Sequence, residues 1–234
     1  MKENYFDWPA ALLLLLVGLM LFNCSCDKSK NQTTLEPERV SPPEIKTQDD
    51  RPVIAAFGNS LTAGQGVEAD LNYPSQLQKK SDAEGYRYKI VNAGVSGDTS
   101  NQGLNRLQSI LDLQPQIVIV ELGANDGLRG IPASATRQNL ETIVARLQAA
   151  GAKVVLAGMQ VPPNYGPQYT GAFRNIFKDV AKRYGTALIP FFLEGVGGNA
   201  TLNQEDGIHP TAAGYKIVAE NVWKVLKPML EARN

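Results

Sequence analysis

Between residues 52 and 230, short apolar runs alternate with longer amphipathic stretches, and this alternation constrains the fold more than any other feature of the chain. Val53–Phe57, Tyr88–Val91, Ile117–Leu122, Val154–Ala157 and Ala187–Pro190 have the length and side-chain branching of strands buried on both faces. Between and after them, Tyr73–Glu84, Asn101–Leu113, Ala133–Ala150, Gly171–Tyr184 and Ala212–Leu230 repeat apolar residues at three- and four-residue intervals, with Gly151 and Gly185 as stop signals behind two of them. Five strand-then-helix units predict an α/β fold with a parallel, doubly wound sheet and right-handed crossovers. In such sheets, sites gather on the loops beyond the carboxyl ends of the strands.

The first 51 residues read differently. Pro9–Phe22 is uncharged and strongly apolar but shorter than the roughly 20 residues that span a bilayer, which suits the apolar region of an export signal. Leu21-Phe22-Asn23-Cys24-Ser25-Cys26 resembles the lipobox of bacterial lipoproteins, with Leu21 placed for lipid on Cys24 and with Cys26 as the second choice. Residues 1–26 are therefore expected to be a lipoprotein signal, with plain secretion and an uncleaved anchor as alternatives. The expected location is the bacterial periplasm or cell envelope. Residues 27–51 are polar, mixed in charge and carry Pro37, Pro42 and Pro43 without periodicity, as a linker does. Residues 52–234 are left as one domain of ordinary size.

Composition excludes several classes. Lys plus Arg and Asp plus Glu both total 23, so there is no net charge to attract a polyanion, and no nucleic-acid partner is expected. One histidine and two cysteines separated by a single residue supply neither a His/Cys zinc site nor a disulfide framework. Gly-x-Gly-x-x-Gly does not follow the first strand and there is no Walker lysine, so no nucleotide cofactor is expected either.

Four polar clusters lie where chemistry belongs: Gly58-Asn59-Ser60-Leu61-Thr62, Gly94-Val95-Ser96-Gly97-Asp98-Thr99, Gly123-Ala124-Asn125-Asp126 and Asp206-Gly207-Ile208-His209-Pro210. The first three leave successive predicted strands and so share one rim. Three positions apart, Asp206 can hold one ring nitrogen of His209 and leave the other free to take a proton. The same residues also suit a turn leading into a helix, with Pro210 near its start. Ser60 follows a strand and a glycine, where a hydroxyl becomes nucleophilic if a base removes its proton; it equally suits a helix cap. Gly97 and Asn125 fit as backbone and amide donors to a developing oxyanion, or as turn and cap residues. Leu61 and Thr62 after Ser60 break the Gly-x-Ser-x-Gly elbow, which disfavours an α/β-hydrolase.

Taken in order, these clusters resemble blocks I, II, III and V of the GDSL or SGNH hydrolases, over about Pro52 to Leu230. Within that family, Ser96–Ser100, Asn125–Gly130 and Met159-Gln160 with Asn164–Gly166 resemble the bacterial thioesterase I/lysophospholipase L1 and arylesterase group. The resemblance implies a flavodoxin-like three-layer α/β/α sandwich with a five-stranded parallel sheet, the SGNH hydrolase fold. It implies Ser60 as nucleophile, His209 as base, Asp206 as its orienter, and an oxyanion hole made by the Ser60 N–H, the Gly97 N–H and the Asn125 amide. It also implies a serine esterase acting through an acyl-enzyme on small acyl esters, with neither metal nor cofactor. Position 59 departs from the family pattern, being Asn where the family's name has Asp. Substrate contacts are expected from Pro162 and Tyr165 in the proline-rich Val161–Pro167 segment. A carbohydrate O-deacetylase and a non-catalytic binding lipoprotein on the same fold are the other readings.

Overall fold

The computed structural model describes residues 49–230. The expected signal, Cys24, Cys26 and most of the linker lie outside the described residues. Among these, no helix is long and apolar enough to cross a membrane.

Five strands, β1 (Val53–Gly58), β2 (Lys89–Gly94), β3 (Ile117–Glu121), β4 (Lys153–Ala157) and β5 (Ala187–Ile189), form one parallel sheet in the order β2-β1-β3-β4-β5. Strands β1, β3 and β4 are almost wholly buried, while β2 and β5 at the edges alternate or stay half-exposed. That is why the apolar runs are continuous in the middle of the sheet and interrupted at its margins. The expected α/β doubly wound fold is the one observed.

The helices are α1 (Ser60–Ala63), α2 (Tyr73–Ala83), α3 (Ser100–Asn105), α4 (Leu107–Leu111), α5 (Ala124–Leu128), α6 (Ala133–Ala149), α7 (Pro167–Tyr184) and α8 (Ala212–Leu226). The chain steps one way from β1 to β2 and the other way thereafter, so right-handed crossovers put helices on both faces. Accordingly α2 packs with α8, whereas α3 packs with α6 and α6 with α7. Phe173, Ile176 and Val180 of α7 recur at three- and four-residue spacing and are fully buried, each contributing roughly 1.5–3 kcal/mol of apolar burial.

Local sequence sets the helix ends. Asn72 accepts the Ser75 N–H and starts α2, Thr99 and Gln102 form a reciprocal cap on α3, and Thr211 accepts from Gly214 at the start of α8. The helix expected over Asn101–Leu113 is instead two, divided at Arg106. The Arg106 side chain is drawn inward: Nε lies 2.6 Å from Asp98, a terminal nitrogen donates to the Gly58 carbonyl at 2.8 Å, and the guanidinium sits over the Phe57 ring. Helix α8 stops at Leu226, and Lys227–Met229 tighten into a 3₁₀ turn because Pro228 has no N–H to continue it.

Candidate active site

The sheet reverses its winding between β1 and β3, and the crevice at their carboxyl ends is where a doubly wound sheet accepts ligands. Ser60 leaves β1 and Asn125 leaves β3 at that crevice. Asn59 caps the first turn of α1 by accepting the Leu61 N–H at 2.9 Å, which places Ser60 at the head of the helix.

Asp206 and His209 come from the segment between β5 and α8. Asp206 Oδ1 accepts the N–H groups of Ile208 and His209, each at 3.0 Å, and Oδ2 lies 2.6 Å from His209 Nδ1. One carboxylate therefore shapes the turn and orients the ring. His209 Nε2 stands 2.9 Å from Ser60 Oγ, and both side chains are largely enclosed. With Nδ1 facing a carboxylate, the proton of the neutral ring resides there and Nε2 is left as an acceptor. The hydrogen bond from the His209 ring, followed by those from the His209 and Ile208 backbone, lowers the Asp206 carboxyl to about 2. It stays ionised at neutral and mildly acidic pH.

The turn after β2 is held from α5 by its carbonyls. Asn125 Nδ2 donates to the Asp98 carbonyl at 2.9 Å, and Arg129 donates to that of Gly97 at 2.9 Å. Gly97 has φ +87°, a backbone conformation that side chains disfavour. Asn125 has thus committed one amide hydrogen to positioning and retains a second. Asp126, fully enclosed beside it, accepts the Ser100 N–H at 2.7 Å and the Thr136 hydroxyl at 3.2 Å, tying α5 to α3 and α6.

Ser60, Gly97, Asn125 and His209 all line one cleft of about 570 Å³. Its other walls include Leu128, Met159, Val161, Pro162, Pro163, Phe191, Leu193 and Ile208. A polar centre set in apolar walls suits an ester with an apolar acyl or aryl part. Among the described residues, no three His, Cys, Asp or Glu side chains come together as metal ligands.

Pro162 lines the cleft, whereas Tyr165 is not among its lining residues. The Tyr165 hydroxyl donates to the Leu128 carbonyl at 2.7 Å, and Tyr169 donates to that of Ile131 at 2.8 Å. These two tyrosines fasten the segment after β4 to the end of α5 and the loop beyond, so Tyr165 fixes a wall of the cleft without forming its surface.

The sequence assigns no role to four residues that shape the site. Arg129 stands there only inside the Asn125–Gly130 match, Phe191 and Leu193 fall in an unassigned loop, and Glu121 lies within the apolar run Ile117–Leu122. Glu121 alone carried a legible signal, as an acid interrupting a run of buried residues.

The sequence model of the GDSL-like lipase/acylhydrolase family matches residues 56–217. The esterase TesA of Pseudomonas aeruginosa is 48% identical over 178 residues, which cover 76% of this chain and 89% of that one. The thioesterase 1/protease 1/lysophospholipase L1 of Escherichia coli K12 is 40% identical over 178 residues, 76% of this chain and 84% of that one. Among solved structures, the psychrotrophic esterase EstA from Pseudoalteromonas sp., inhibited by monoethylphosphonate, superposes with a TM-score of 0.72 at 34% identity, covering 76% of this chain and 97% of that one. With its doubly wound sheet and the Ser60–His209–Asp206 cluster at the winding reversal, the chain belongs to the GDSL-like lipase/acylhydrolase family.

Proposed function

We propose that the protein is a serine esterase in which Ser60 is the nucleophile, His209 the general base and Asp206 the group that orients it. The carrying observation is the continuous chain Asp206 Oδ2, His209 Nδ1, His209 Nε2, Ser60 Oγ, with separations of 2.6 Å and 2.9 Å at its two hydrogen bonds. Attack of Ser60 Oγ on the ester carbonyl carbon sends the hydroxyl proton to His209 Nε2. Asp206 stabilises the imidazolium without taking its proton. The former carbonyl oxygen becomes an oxyanion, for which the Ser60 N–H, the Gly97 N–H and the second Asn125 amide hydrogen are the donors. His209 then protonates the departing alkoxide or thiolate, and an acyl group remains on Ser60. A water molecule gives a proton to the same imidazole as it attacks the acyl carbon, and the imidazolium returns that proton to Ser60 Oγ as the Oγ–acyl bond breaks and the acid leaves.

The family membership supports ester hydrolysis, and two relatives carry the names esterase and thioesterase. The stiff Pro162-Pro163 wall of the cleft favours short acyl and aryl esters over long chains. The Pro9–Phe22 stretch followed by Cys24 supports export to the cell envelope with lipid on Cys24, which mass spectrometry of the mature N-terminus tests. For the activity, hydrolysis of nitrophenyl esters of increasing chain length is compared with a thioester, a lysophospholipid and an acetylated sugar. Short nitrophenyl esters should be hydrolysed fastest. A clear preference for the acetylated sugar would replace this reading with the deacetylase.

A further inference from the structure

Glu121 is the last residue of β3 and is completely buried, yet no step of the reaction uses it. Three donors converge on its carboxyl group. The Asn59 N–H reaches Oε2 at 3.2 Å, the Asn59 side-chain amide reaches Oε1 at 3.0 Å, and the Thr62 hydroxyl reaches Oε2 at 2.8 Å. Asn59 and Thr62 flank Ser60 on either side. Gly58 admits this approach, since a Cβ there would collide with both Glu121 Oε2 and Thr62 Oγ1.

We propose that Glu121 is a positioning residue for the reaction at Ser60: through Asn59 and Thr62 it fixes the turn that presents Ser60 to His209, and the neutral amide at position 59 lets it do so with a single buried acid. The inference rests on the reading of Ser60 as nucleophile.

The surroundings of the carboxyl group explain why the residue at 59 matters. The titratable side chains facing it are Tyr73 from α2 and Tyr215 from α8, and no ion pair holds it among the described residues. Burial pushes Glu121 up to about 8, with the donors from Thr62 and Asn59 pulling the other way. When protonated, it can donate to Thr62 Oγ1, which lies 3.3 Å from the Tyr73 hydroxyl and can pass its own hydrogen there. Both forms are then satisfied and the turn is held in each.

An Asp at 59 changes this balance. Its inner oxygen would meet Glu121 Oε1 where the amide now donates, and two carboxyl groups so placed must share one proton. As pH rises that proton leaves, two like charges face one another without a cation, and the turn loses its anchor. A Gln at 121 fails differently. Its amide presents one acceptor instead of two, so in either orientation one Asn59 N–H meets a donor. Combining the two substitutions restores the match, with the new amide at position 121 donating and the new carboxylate at position 59 accepting.

The test measures kcat, KM and their pH dependence from pH 6 to 9.5 for wild type, N59D, E121Q and N59D/E121Q, with fluorophosphonate labelling of each. E121Q should lower kcat by about 10- to 100-fold with KM changed less than about twofold, the signature of a displaced reacting group. N59D should gain a fall in kcat at alkaline pH that wild type lacks. The double variant should lose that fall and recover much of the activity missing from E121Q. Effects on kcat that simply multiply in the double variant, or thermal stability changing while kcat and the pH profile do not, would overturn the proposal. Labelling separates the two readings: Ser60 labelled in all four proteins upholds the nucleophile whatever becomes of Glu121, whereas an unlabelled Ser60 in active wild type overturns both.

Discussion

His209 Nε2 and Ser60 Oγ stand 2.9 Å apart although 149 positions separate the two residues in the chain. The meeting depends on two local devices. Asn59 caps α1 and sets Ser60 at its head, while Asp206 closes a turn on the Ile208 and His209 N–H groups and holds the ring by Nδ1. Gln204 links the two segments, its side-chain amide donating to the Gln65 carbonyl at 2.7 Å and to the Pro210 carbonyl at 3.0 Å.

The pH dependence follows from the Asp206 carboxyl, lowered to about 2 by the bond from His209. A depressed carboxylate keeps its contribution above its ordinary value and loses it only as pH falls through the folded value, here near 2. Asp206 therefore stays charged from about pH 5 to 8, its hold on the His209 ring does not change there, and any acid loss of kcat/KM measured over that interval comes from a group other than Asp206. Acid loss that tracks protonation of Asp206 in that interval, or substantial activity in His209→Ala, would contradict the roles assigned to the two residues.

Asn125→Ala removes the second amide hydrogen together with the bond to Asp98. It should lower kcat by on the order of 10²- to 10³-fold, or roughly 2.7–4 kcal/mol, with KM little changed. The folded state loses one neutral hydrogen bond, worth about 0.5–1.5 kcal/mol. Thermal unfolding measured beside the kinetics separates the roles: an intact kcat with a collapsed Tm would make Asn125 a structural cap.

Much of this was legible in the sequence, for identifiable reasons. The branched runs at Ile117–Leu122 and Val154–Ala157 could be read because β3 and β4 are covered on both faces. The edge strand β2 was ended too early, at Val91, since Asn92 and the two small residues after it, Ala93 and Gly94, look like a turn when they are in fact paired with β1. The break at Arg106 could not be read, because it is caused by partners at Gly58 and Asp98 that only the folded sheet brings near. Asp206 and His209 were recognisable as a local pair, whereas the Tyr165 bond to Leu128 is tertiary and left no local trace.

Chain-length preference should respond to the wall after β4. Pro162 and Pro163 line the cleft and cannot readily re-form around a longer chain, and each methylene left exposed forfeits roughly 0.8 kcal/mol. Replacing both with glycine should raise activity on octanoyl relative to butyryl nitrophenyl esters. An unchanged ratio would assign selectivity to another wall, with Phe191 and Leu193 next to be tested.

Tyr165→Phe removes the bond to the Leu128 carbonyl while keeping the ring against Tyr169. The expected loss is about 0.5–1.5 kcal/mol of stability. KM should rise while kcat holds within about threefold, because the change loosens a wall and leaves the reacting groups in place. A loss confined to kcat would mean that Tyr165 contacts the reacting part of the substrate after all.

The most direct measurement is peptide mapping by mass spectrometry after treatment with a fluorophosphonate, which reacts with a serine hydroxyl only where a base removes its proton. One adduct is expected per chain, on Ser60, forming at neutral pH and far more slowly in His209→Ala. Ser60→Ala should take up no reagent and hydrolyse no ester. An adduct on another serine, or ester hydrolysis persisting in Ser60→Ala, would contradict the assignment of Ser60 and His209 as the reacting pair.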